Sequence, residues 1–240
     1  LRTAIAAGAI TGLAGCSGGQ PTSTDTTDQS TRTDSPTSTT TTERSSTRQI
    51  EDMVGRTVEI PGSVDSVIGV GSGALRLLTY VDATEEVIAV EELETTNEKR
   101  PFRPYIHANP ELSELPSVGR RNRPDAELLL QQDPDIVFWG WAEAGDANDL
   151  QNQIETPVVV VQPGDINEEN RSQFFGSLDL LGEIMGTSET AENLQQFTTE
   201  TIDDLASRTD DVSDEDRPRS YVGYLGRGNH GLTRTQPLYT

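Results

Sequence analysis

The chain has 240 residues, and its 40 Asp and Glu against 18 Lys and Arg give a formal net charge of −22. This charge argues against nucleic acid as a partner, because no basic stripe is present to meet phosphates. Lys99 is the only lysine. An acidic chain almost without lysine is typical of proteins from extreme halophiles, where salt screens the repulsion between like charges.

Residues 1–16 predict a lipoprotein signal peptide. An apolar run of small residues at 4–14 precedes Cys16, the only cysteine, and it is shorter than the ~20 residues that a membrane-spanning helix needs. Residues 13–16, LAGC, resemble the lipobox of prokaryotic lipoproteins, whose cysteine receives a lipid. We expect Cys16 to be the lipid attachment site and the protein to be anchored to the cell membrane, facing the exterior. Because Leu1 is not an initiator Met, we also expect the signal to start upstream.

Residues 17–48 predict a disordered tether. The segment 21–47 is rich in Ser and Thr and has no aliphatic or aromatic residue to bury. Such a segment cannot offset the entropy lost on ordering, and its composition is also typical of O-glycosylated stalks. We expect it to hold a folded domain away from the membrane.

From residue 49 onward, short apolar runs alternate with helical patterns. Strands are predicted at 67–70, 87–90, 136–139, 158–161 and 221–225, after a small hairpin at 53–60. Helices are predicted at 74–81, 125–132, 146–154, 167–185 and 188–208. Pro124 is expected to open the second of these helices, and Asn167 and Ser188 to cap the last two. Gly186 is expected to end the helix before Ser188. Strands separated by helices predict an α/β fold with a parallel sheet.

Ligands of open parallel sheets bind beyond the carboxyl ends of the strands, and this rule selects the candidate site residues. They are Gly71, Ser72, Gly73, Glu91, Glu92, Gly119, Arg120, Arg121, Trp139, Gly140, Trp141, Gln162, Pro163, Gly164, Arg227, Asn229 and His230. Arginines and tryptophans on one rim favour a ligand with anionic and flat or apolar parts. For one of the two tryptophans a place in the core is equally expected, as is a surface salt bridge for any single arginine.

The stretch from Gly69 to Ala74 also fits the G-x-G-x-x-G/A fingerprint of dinucleotide-binding proteins, with Glu91 22 residues after Gly69. It leaves an exported NAD-dependent oxidoreductase as the alternative from the enzyme class. We disfavour this alternative because an exported, lipid-anchored protein has no NAD pool to draw on.

Several motifs together resemble a known family. Residues 52–61 fit the pattern D-x-x-G-R-x-V-x-x-P, which opens the substrate-binding proteins of ABC importers for iron(III) siderophores, haem and cobalamin. The resemblance is closest to the iron or metal receptors common in archaea. It continues in the order and spacing of 73–78, 105–112, 115–119, 126–129, 133–135, 221–223, 229–233 and 235–239.

The resemblance implies a helical-backbone, class III binding protein in which one long helix joins two α/β lobes and the ligand lies between them. The N-terminal lobe would then be 49–186, the inter-lobe helix 187–210, and 219–240 the start of a C-terminal lobe that the chain includes only in part. It also implies a monomer without enzymatic activity or cofactor that delivers its solute to a permease and its ATPase. Glu127 stands eight residues before Asp135 of a Pro-Asp pair, the place of the family's permease-docking glutamate, although an exposed helix glutamate is usually only solvated.

An iron(III)–siderophore chelate is the expected ligand, with cobalamin, haem or an oxyanion as alternatives. No paired His or Cys spacing and no carboxylate cluster indicates a dedicated metal cage. Tyr105, His107, Tyr224 and His230 are weak candidates for iron(III) ligands. A structural or adhesive surface protein would share the anchor and the tether, but it would not explain glycine loops after successive strands.

Overall fold

The computed structural model describes residues 46–95, 103–167, 170–213, 215–217, 223–224 and 230–231. The strands in these residues are β1 (Thr47–Glu51), β2 (Thr57–Pro61), β3 (Val67–Gly71), β4 (Val87–Ala89), β5 (Gly119–Arg120), β6 (Arg123–Pro124), β7 (Ile136–Gly140), β8 (Val158–Val161), β9 (Gly223–Tyr224) and β10 (His230–Gly231). The α-helices are α1 (Ala74–Tyr80), α2 (Pro104–Ala108), α3 (Ala126–Gln132), α4 (Ala144–Ile154), α5 (Arg171–Met185) and α6 (Ser188–Ser207), and a 3-10 helix spans Pro110–Glu114.

Four parallel strands form the central sheet in the order β4-β3-β7-β8. The register places Val67 of β3 opposite Ile136 of β7, and Val137 of β7 opposite Val158 of β8. Every residue of β3 and β8 is buried, as expected for apolar strands that are covered on both faces of a parallel sheet. The α/β class predicted from the sequence is confirmed.

Helices cover both faces of the sheet because its side chains alternate between two apolar clusters. Val67, Phe138 and Val159 point into one cluster, which α1, α5 and the hairpin of β1 and β2 complete. Ile68 and Val137 point into the other, which residues of α3 and α4 complete. This layered arrangement leaves the carboxyl ends of the strands as the edge where loops meet.

The hairpin of β1 and β2 is fastened to the sheet by Asp52, whose side chain is fully buried. Its Oδ1 accepts hydrogen bonds from the backbone N–H groups of Val54 and Arg56, at 3.1 and 2.9 Å. Its Oδ2 accepts from Nε and Nη2 of Arg56, at 2.9 and 2.7 Å, and from the N–H of Val160 on β8, at 3.2 Å. The D-x-x-G-R motif is therefore a clamp between the hairpin turn and the sheet.

The clamp also satisfies the outer edge of β8, which is the last strand of the sheet among the residues that the structure describes. An edge strand exposes unpaired N–H and C=O groups that invite pairing with other chains. Here the N–H of Met53 donates to the carbonyl of Val160 at 3.1 Å, and the guanidinium of Arg56 donates to the carbonyl of Val158. The hairpin turn thus takes the place of a fifth strand.

Three expected helix starts differ from the structure, and of the three only that of α3 has a side-chain cap. Pro124 lies in β6, and Asp125 caps α3 by accepting hydrogen bonds from the N–H groups of Glu127 and Leu128. Helix α5 begins at Arg171 after the N-cap Asn170, not after Asn167. Thr187 rather than Ser188 is the N-cap of α6.

Strand β1 begins at Thr47, so it includes two residues that were expected in the tether of 17–48. The signal peptide, Cys16 and the rest of that tether lie outside the described residues. Of the predicted strand at 221–225, only Gly223 and Tyr224 are described.

Helix α6 has 20 residues within 187–210, the stretch for which the inter-lobe role stays a prediction, and Gly186 ends α5 with a left-handed φ of 73°. Ala191 is its buried residue and Leu194 packs against the core. Further along, Phe197 is 65% exposed and Leu205 57% exposed. Among the helices of the described ranges, none is long and apolar enough to cross a membrane.

We expect Asp52→Ala to lower the free energy of unfolding by about 3–5 kcal/mol, because it leaves the buried Arg56 guanidinium without its carboxylate. Glu51→Ala is the matched control, since Glu51 is the exposed neighbour and surface substitutions usually change stability by less than about 0.5 kcal/mol. Urea unfolding of both variants at molar salt measures the difference. Equal unfolding midpoints for the two variants would contradict the clamp.

Candidate functional site

The sheet changes its direction of growth between β3 and β7, and ligands of open parallel sheets bind at such a switch point. The chain adds β4 on one side of β3 and then adds β7 and β8 on the other. One loop leaves the sheet after Gly71 of β3, and a second leaves after Gly140 of β7. The candidate site is therefore the carboxyl edge at β3 and β7.

These two loops touch backbone to backbone, which requires glycine. Gly71 has a φ of 80°, and a Cβ on it would lie 2.6 Å from the carbonyl oxygen of Gly140. A Cβ on Gly140 would lie 2.5 Å from the carbonyl oxygen of Ser72. A side chain at either position would force the loops apart.

Glu91 links the first loop to a tight turn that comes later in the chain. It follows β4 and is only 3% exposed. Its Oε1 accepts a hydrogen bond from the N–H of Gly71 at 3.0 Å and another from the N–H of Asn122 at 2.9 Å. Arg121 and Asn122 form the two-residue turn between β5 and β6. The carboxylate thus bonds the backbone of both segments.

Ser72 and Arg121, the chain neighbours of the two residues that Glu91 bonds, contact each other through their side chains. Nε and Nη2 of Arg121 donate to Oγ of Ser72, at 3.1 and 2.7 Å. Asn122 approaches the same hydroxyl, with Oδ1 at 3.4 Å from Oγ. We call Ser72, Glu91, Arg121 and Asn122 the switch-point cluster.

The sequence rule selected every member of the switch-point cluster except Asn122. Its φ of 57° lies in the left-handed region, which Asn tolerates better than most residues. An Asn in a two-residue turn between extended segments was the signal that could have found it. Residues 116–119 add a further contact, since the N–H of Val90 donates to the carbonyl of Pro116 at 3.0 Å.

Burial raises the pKa of the Glu91 carboxyl. The hydrogen bonds from Gly71 and Asn122 act in the opposite direction, as does the charge of Arg121, while the nearby Glu94 adds to the increase in pKa. The site therefore holds one carboxyl whose ionised form is disfavoured by its surroundings.

Arg120 and Glu92 lie at the outside of this edge. The Arg120 side chain is 83% exposed, and its Nε lies 3.8 Å from Oε2 of Glu92. A pair this exposed and this long contributes little stability. Of the two candidate arginines, Arg121 is the one that the fold holds in a fixed position.

One of the two tryptophans packs toward the core and the other is exposed to solvent. The sequence left both of these places open for either residue. Trp139 is half-buried and packs against the cluster that α3 and α4 complete. Trp141 is 52% exposed and has a φ of 64°, although its N–H donates to the carbonyl of Val161 at 3.0 Å. A bulky residue in this region costs on the order of 1–3 kcal/mol, and such strain is concentrated at functional sites.

The loop after β8 is bound to α5 and α1 through its backbone. Ser177 accepts from the N–H of Gln162 and donates to its carbonyl, both at 2.9 Å. Nη2 of Arg76 donates to the carbonyl of Pro163 at 3.1 Å. Gln162 is half-buried at the end of its strand, so its side chain remains a candidate for the rim of the site.

Tyr105 belongs to a polar cluster with Glu94 and Arg103. Its hydroxyl donates to both carboxylate oxygens of Glu94, each at 3.1 Å, and Arg103 forms an ion pair with the same carboxylate. Burial raises the pKa of Tyr105, and the charge of Glu94 adds to this increase. Both effects disfavour the phenolate that ligation of iron(III) requires. His107 is exposed on α2.

The remaining candidate ligands are described in part or not at all. His230 pairs with Tyr224 in the short β9–β10 ladder, where the backbone alone is described. Arg227 and Asn229 lie outside the described residues. Within the described ranges, no group of three or more His, Cys, Asp or Glu residues is arranged to hold a metal ion.

Glu127, the candidate docking residue, is exposed in the first turn of α3. The chain enters this helix from β6, directly after the turn that contains Arg121 and Asn122. At the far end of α3, Asp135 accepts hydrogen bonds from the N–H groups of Asp65 and Ser66, both at 2.9 Å. The carboxylate of the Pro-Asp pair is therefore structural.

We expect Glu91→Gln to raise the melting temperature relative to wild type at neutral pH. The raised pKa means that the contribution of Glu91 to stability is complete below its unfolded-state pKa and is lost as the pH rises through its folded-state pKa. Gln stays neutral throughout, so the difference should close as the pH falls toward about 4.3. Melting curves across this range test it, with Glu92→Gln as a control that removes a charge from the exposed neighbour. A difference that does not change with pH would contradict the assignment to Glu91.

Comparison with known proteins supports the fold. MolA, a molybdate-binding protein of Haemophilus influenzae, is 24% identical over 200 residues, which are 77% of this chain and 56% of MolA. The structure of MolA bound to molybdate superposes with a TM-score of 0.64 at 21% identity, over 74% of this chain and 58% of MolA. The petrobactin-binding protein YclQ of Bacillus subtilis gives 0.56 at 14% identity, over 70% and 55% of the two chains. Staphylococcus aureus SirA, complexed with staphyloferrin B, gives 0.54 at 19% identity, over 70% and 53%. The chain thus spans little more than half the length of these proteins.

The sequence profile of the family described as periplasmic binding protein matches residues 67–232, from β3 to beyond β10. Members of this family are extracytoplasmic solute-binding receptors and not enzymes, so the oxidoreductase alternative is set aside. The structure agrees, because the acid of the apparent fingerprint, Glu91, bonds the protein's own backbone. The matched region covers more than half of the chain, and the chain therefore belongs to the periplasmic binding protein family.

Proposed function

We propose that the chain is part of the solute receptor of an ABC importer and that it binds an anionic iron(III) chelate of the siderophore class. The observation that carries this proposal is the fixed guanidinium of Arg121 at the switch point, on the same carboxyl edge of the sheet as the strained and half-exposed Trp141. A cation and a flat apolar surface on one edge suit a ligand that has carboxylate or phenolate oxygens and a broad ring system.

Arg121 is suited to this role because its side chain is half-buried and aligned by Ser72. An arginine has five N–H donors, which is more than one hydroxyl accepts. A guanidinium whose orientation is already fixed loses less entropy when it binds an oxyanion or carboxylate. Ser72 connects this cation to the second loop, since its carbonyl lies against Gly140, the residue before Trp141.

A small oxyanion is the second candidate ligand. It is favoured by the match to the molybdate-binding MolA, which extends over 200 residues. An oxyanion would use Arg121, the Ser72 hydroxyl and the Asn122 amide, whereas a large chelate would also cover Trp141. Binding of the two candidate ligands should therefore differ in how strongly it depends on the indole of Trp141.

Titration of the whole protein with iron(III) catecholate, hydroxamate and citrate chelates, and separately with molybdate, tests the ligand class. Arg121→Ala should weaken binding by about 10- to 150-fold, which corresponds to losing a charge-assisted hydrogen bond worth about 1.5–3 kcal/mol. Arg123→Ala removes the same charge from an exposed residue of β6 and should leave affinity nearly unchanged. Calorimetry gives both affinities, and quenching of Trp141 fluorescence should accompany binding of a chelate.

Equal losses for Arg121→Ala and Arg123→Ala would show that only net charge matters and would contradict a built anion site. Tight binding of molybdate, together with no binding of any iron(III) chelate, would replace the first candidate with the second. Trp141→Ala should weaken binding of a chelate more than binding of molybdate.

We also propose that Glu127 docks the receptor on its permease. Glu127 is exposed and lies in the first turn of α3, where a carboxylate is available to an arginine of a partner. Glu127→Gln should leave ligand affinity unchanged and reduce uptake of the bound solute into cells. Glu192→Gln changes an exposed glutamate of α6 and serves as the control. Normal uptake with Glu127→Gln would sink the docking assignment without affecting the ligand assignment.

The proposed receptor would be held at the outer face of the cell membrane by a lipid on Cys16. The support is the sequence of residues 13–16 and the Ser- and Thr-rich segment that follows. A two-chain lipid on one cysteine is sufficient for stable anchoring, and the segment would allow the folded part to reach a permease in the same membrane.

A further inference from the structure

One buried carboxylate oxygen holds two segments that are far apart in sequence. Oε1 of Glu91 accepts from the N–H of Gly71, 20 residues earlier, and from the N–H of Asn122, 31 residues later. At 3% exposure Glu91 is too deep to offer its side chain to a solute. Glu91 therefore acts through the two backbone segments that it bonds.

Each of the two N–H donors is the immediate chain neighbour of a residue that faces the site. Gly71 precedes Ser72, and Asn122 follows Arg121. Ser72 and Arg121 are the pair joined through Oγ at 2.7 and 3.1 Å. The Glu91 bridge therefore sets the separation of the two backbone segments from which the anion-facing pair extends.

Both donor residues also have positive φ angles, 80° for Gly71 and 57° for Asn122. Gly71 adopts this conformation without strain, whereas a non-glycine residue such as Asn122 persists there when its surroundings hold it. One oxygen that accepts hydrogen bonds from both positions fixes them together.

We propose that Glu91 is a positioning residue for ligand capture, which keeps the Gly71–Ser72 loop and the Arg121–Asn122 turn at the separation where Ser72 and Arg121 meet the solute. The inference rests on the proposed function, because it assigns Glu91 a role in that same site. The charged groups that face Glu91 are Glu94 from its own segment and Arg121 from the β5–β6 turn.

Three substitutions of Glu91 distinguish the effect of side-chain length from the effect of charge. Glu91→Gln keeps the reach and an acceptor oxygen but not the charge, whereas Glu91→Asp keeps the charge but is one methylene shorter. Glu91→Ala keeps neither. Glu92→Ala is the matched control, because Glu92 is the exposed next residue and contacts only Arg120, at 3.8 Å, among the described ion pairs.

Two measurements on the whole protein test the inference, namely amide hydrogen exchange at Gly71 and Asn122 and the affinities for iron(III) citrate and molybdate. We expect Glu91→Gln and Glu92→Ala to match wild type in both. Glu91→Asp and Glu91→Ala should speed exchange at the two amides and weaken binding, each by about tenfold or more. If Glu91→Gln behaves like wild type while Glu91→Asp exchanges faster and binds more weakly, the site requires a side chain long enough to reach the two N–H groups.

The two measurements also distinguish the possible failures. If Glu91→Ala leaves exchange at both amides as slow as in Glu92→Ala, the inference is overturned, whatever the ligand is. If exchange accelerates while affinity stays the same, Glu91 is structural and the positioning role is wrong. If Asp binds like wild type and Gln does not, charge is the property that matters and the inference also fails. Failure of wild type to bind either probe would count against the proposed function, while the exchange rates would still decide whether Glu91 holds the two segments.

Discussion

The backbone contact between the loops after β3 and β7 is the constraint on which the candidate site depends. A Cβ on Gly71 would lie 2.6 Å from the carbonyl of Gly140, and one on Gly73 would lie 2.7 Å from Cβ of Pro163. Glycine permits this close backbone contact but contributes no side chain. The polar groups of the site must therefore come from residues beside the glycines. Ser72 and Trp141 occupy those places. The side chains of the candidate site therefore extend from positions next to the contact, because the glycines at the contact itself have none.

Backbone N–H groups of loops and of a strand edge donate to the same kind of partner, a buried carboxylate, at two separate places in the fold. Asp52 satisfies the edge of β8 and its own hairpin turn, and Glu91 satisfies the loop after β3 and the β5–β6 turn. Each is a buried acid that accepts backbone N–H groups from segments far apart in sequence. Among the residues that the structure describes, Asp52 and Glu91 are the acidic residues that are buried, and both act as internal connectors. Buried carboxylates are stable only when bonded in this way.

The sequence predicted the elements well and the contacts between them poorly. The runs at 67–70, 136–139 and 158–161 became strands with at most one added residue, because an apolar run bounded by glycine or proline has few other solutions. Asn122 and the partnership of Glu94 with Arg103 were missed, since each depends on residues brought together by the fold. Glu91 was placed at the correct edge of the sheet, yet the pattern could not tell that its side chain would turn inward.

The apparent dinucleotide fingerprint shows why a local motif does not determine chemistry. In that reading the acid at the end of the second strand must point outward to a ribose hydroxyl. Here the same spacing places Glu91 where its oxygen binds the N–H of Gly71, within the glycine loop itself. The loop and the acid bond each other, and the side chains of Ser72 and Arg121 bond each other beside this link. Sites of different chemistry can thus share one spacing of glycines, and the direction in which one carboxylate points distinguishes them.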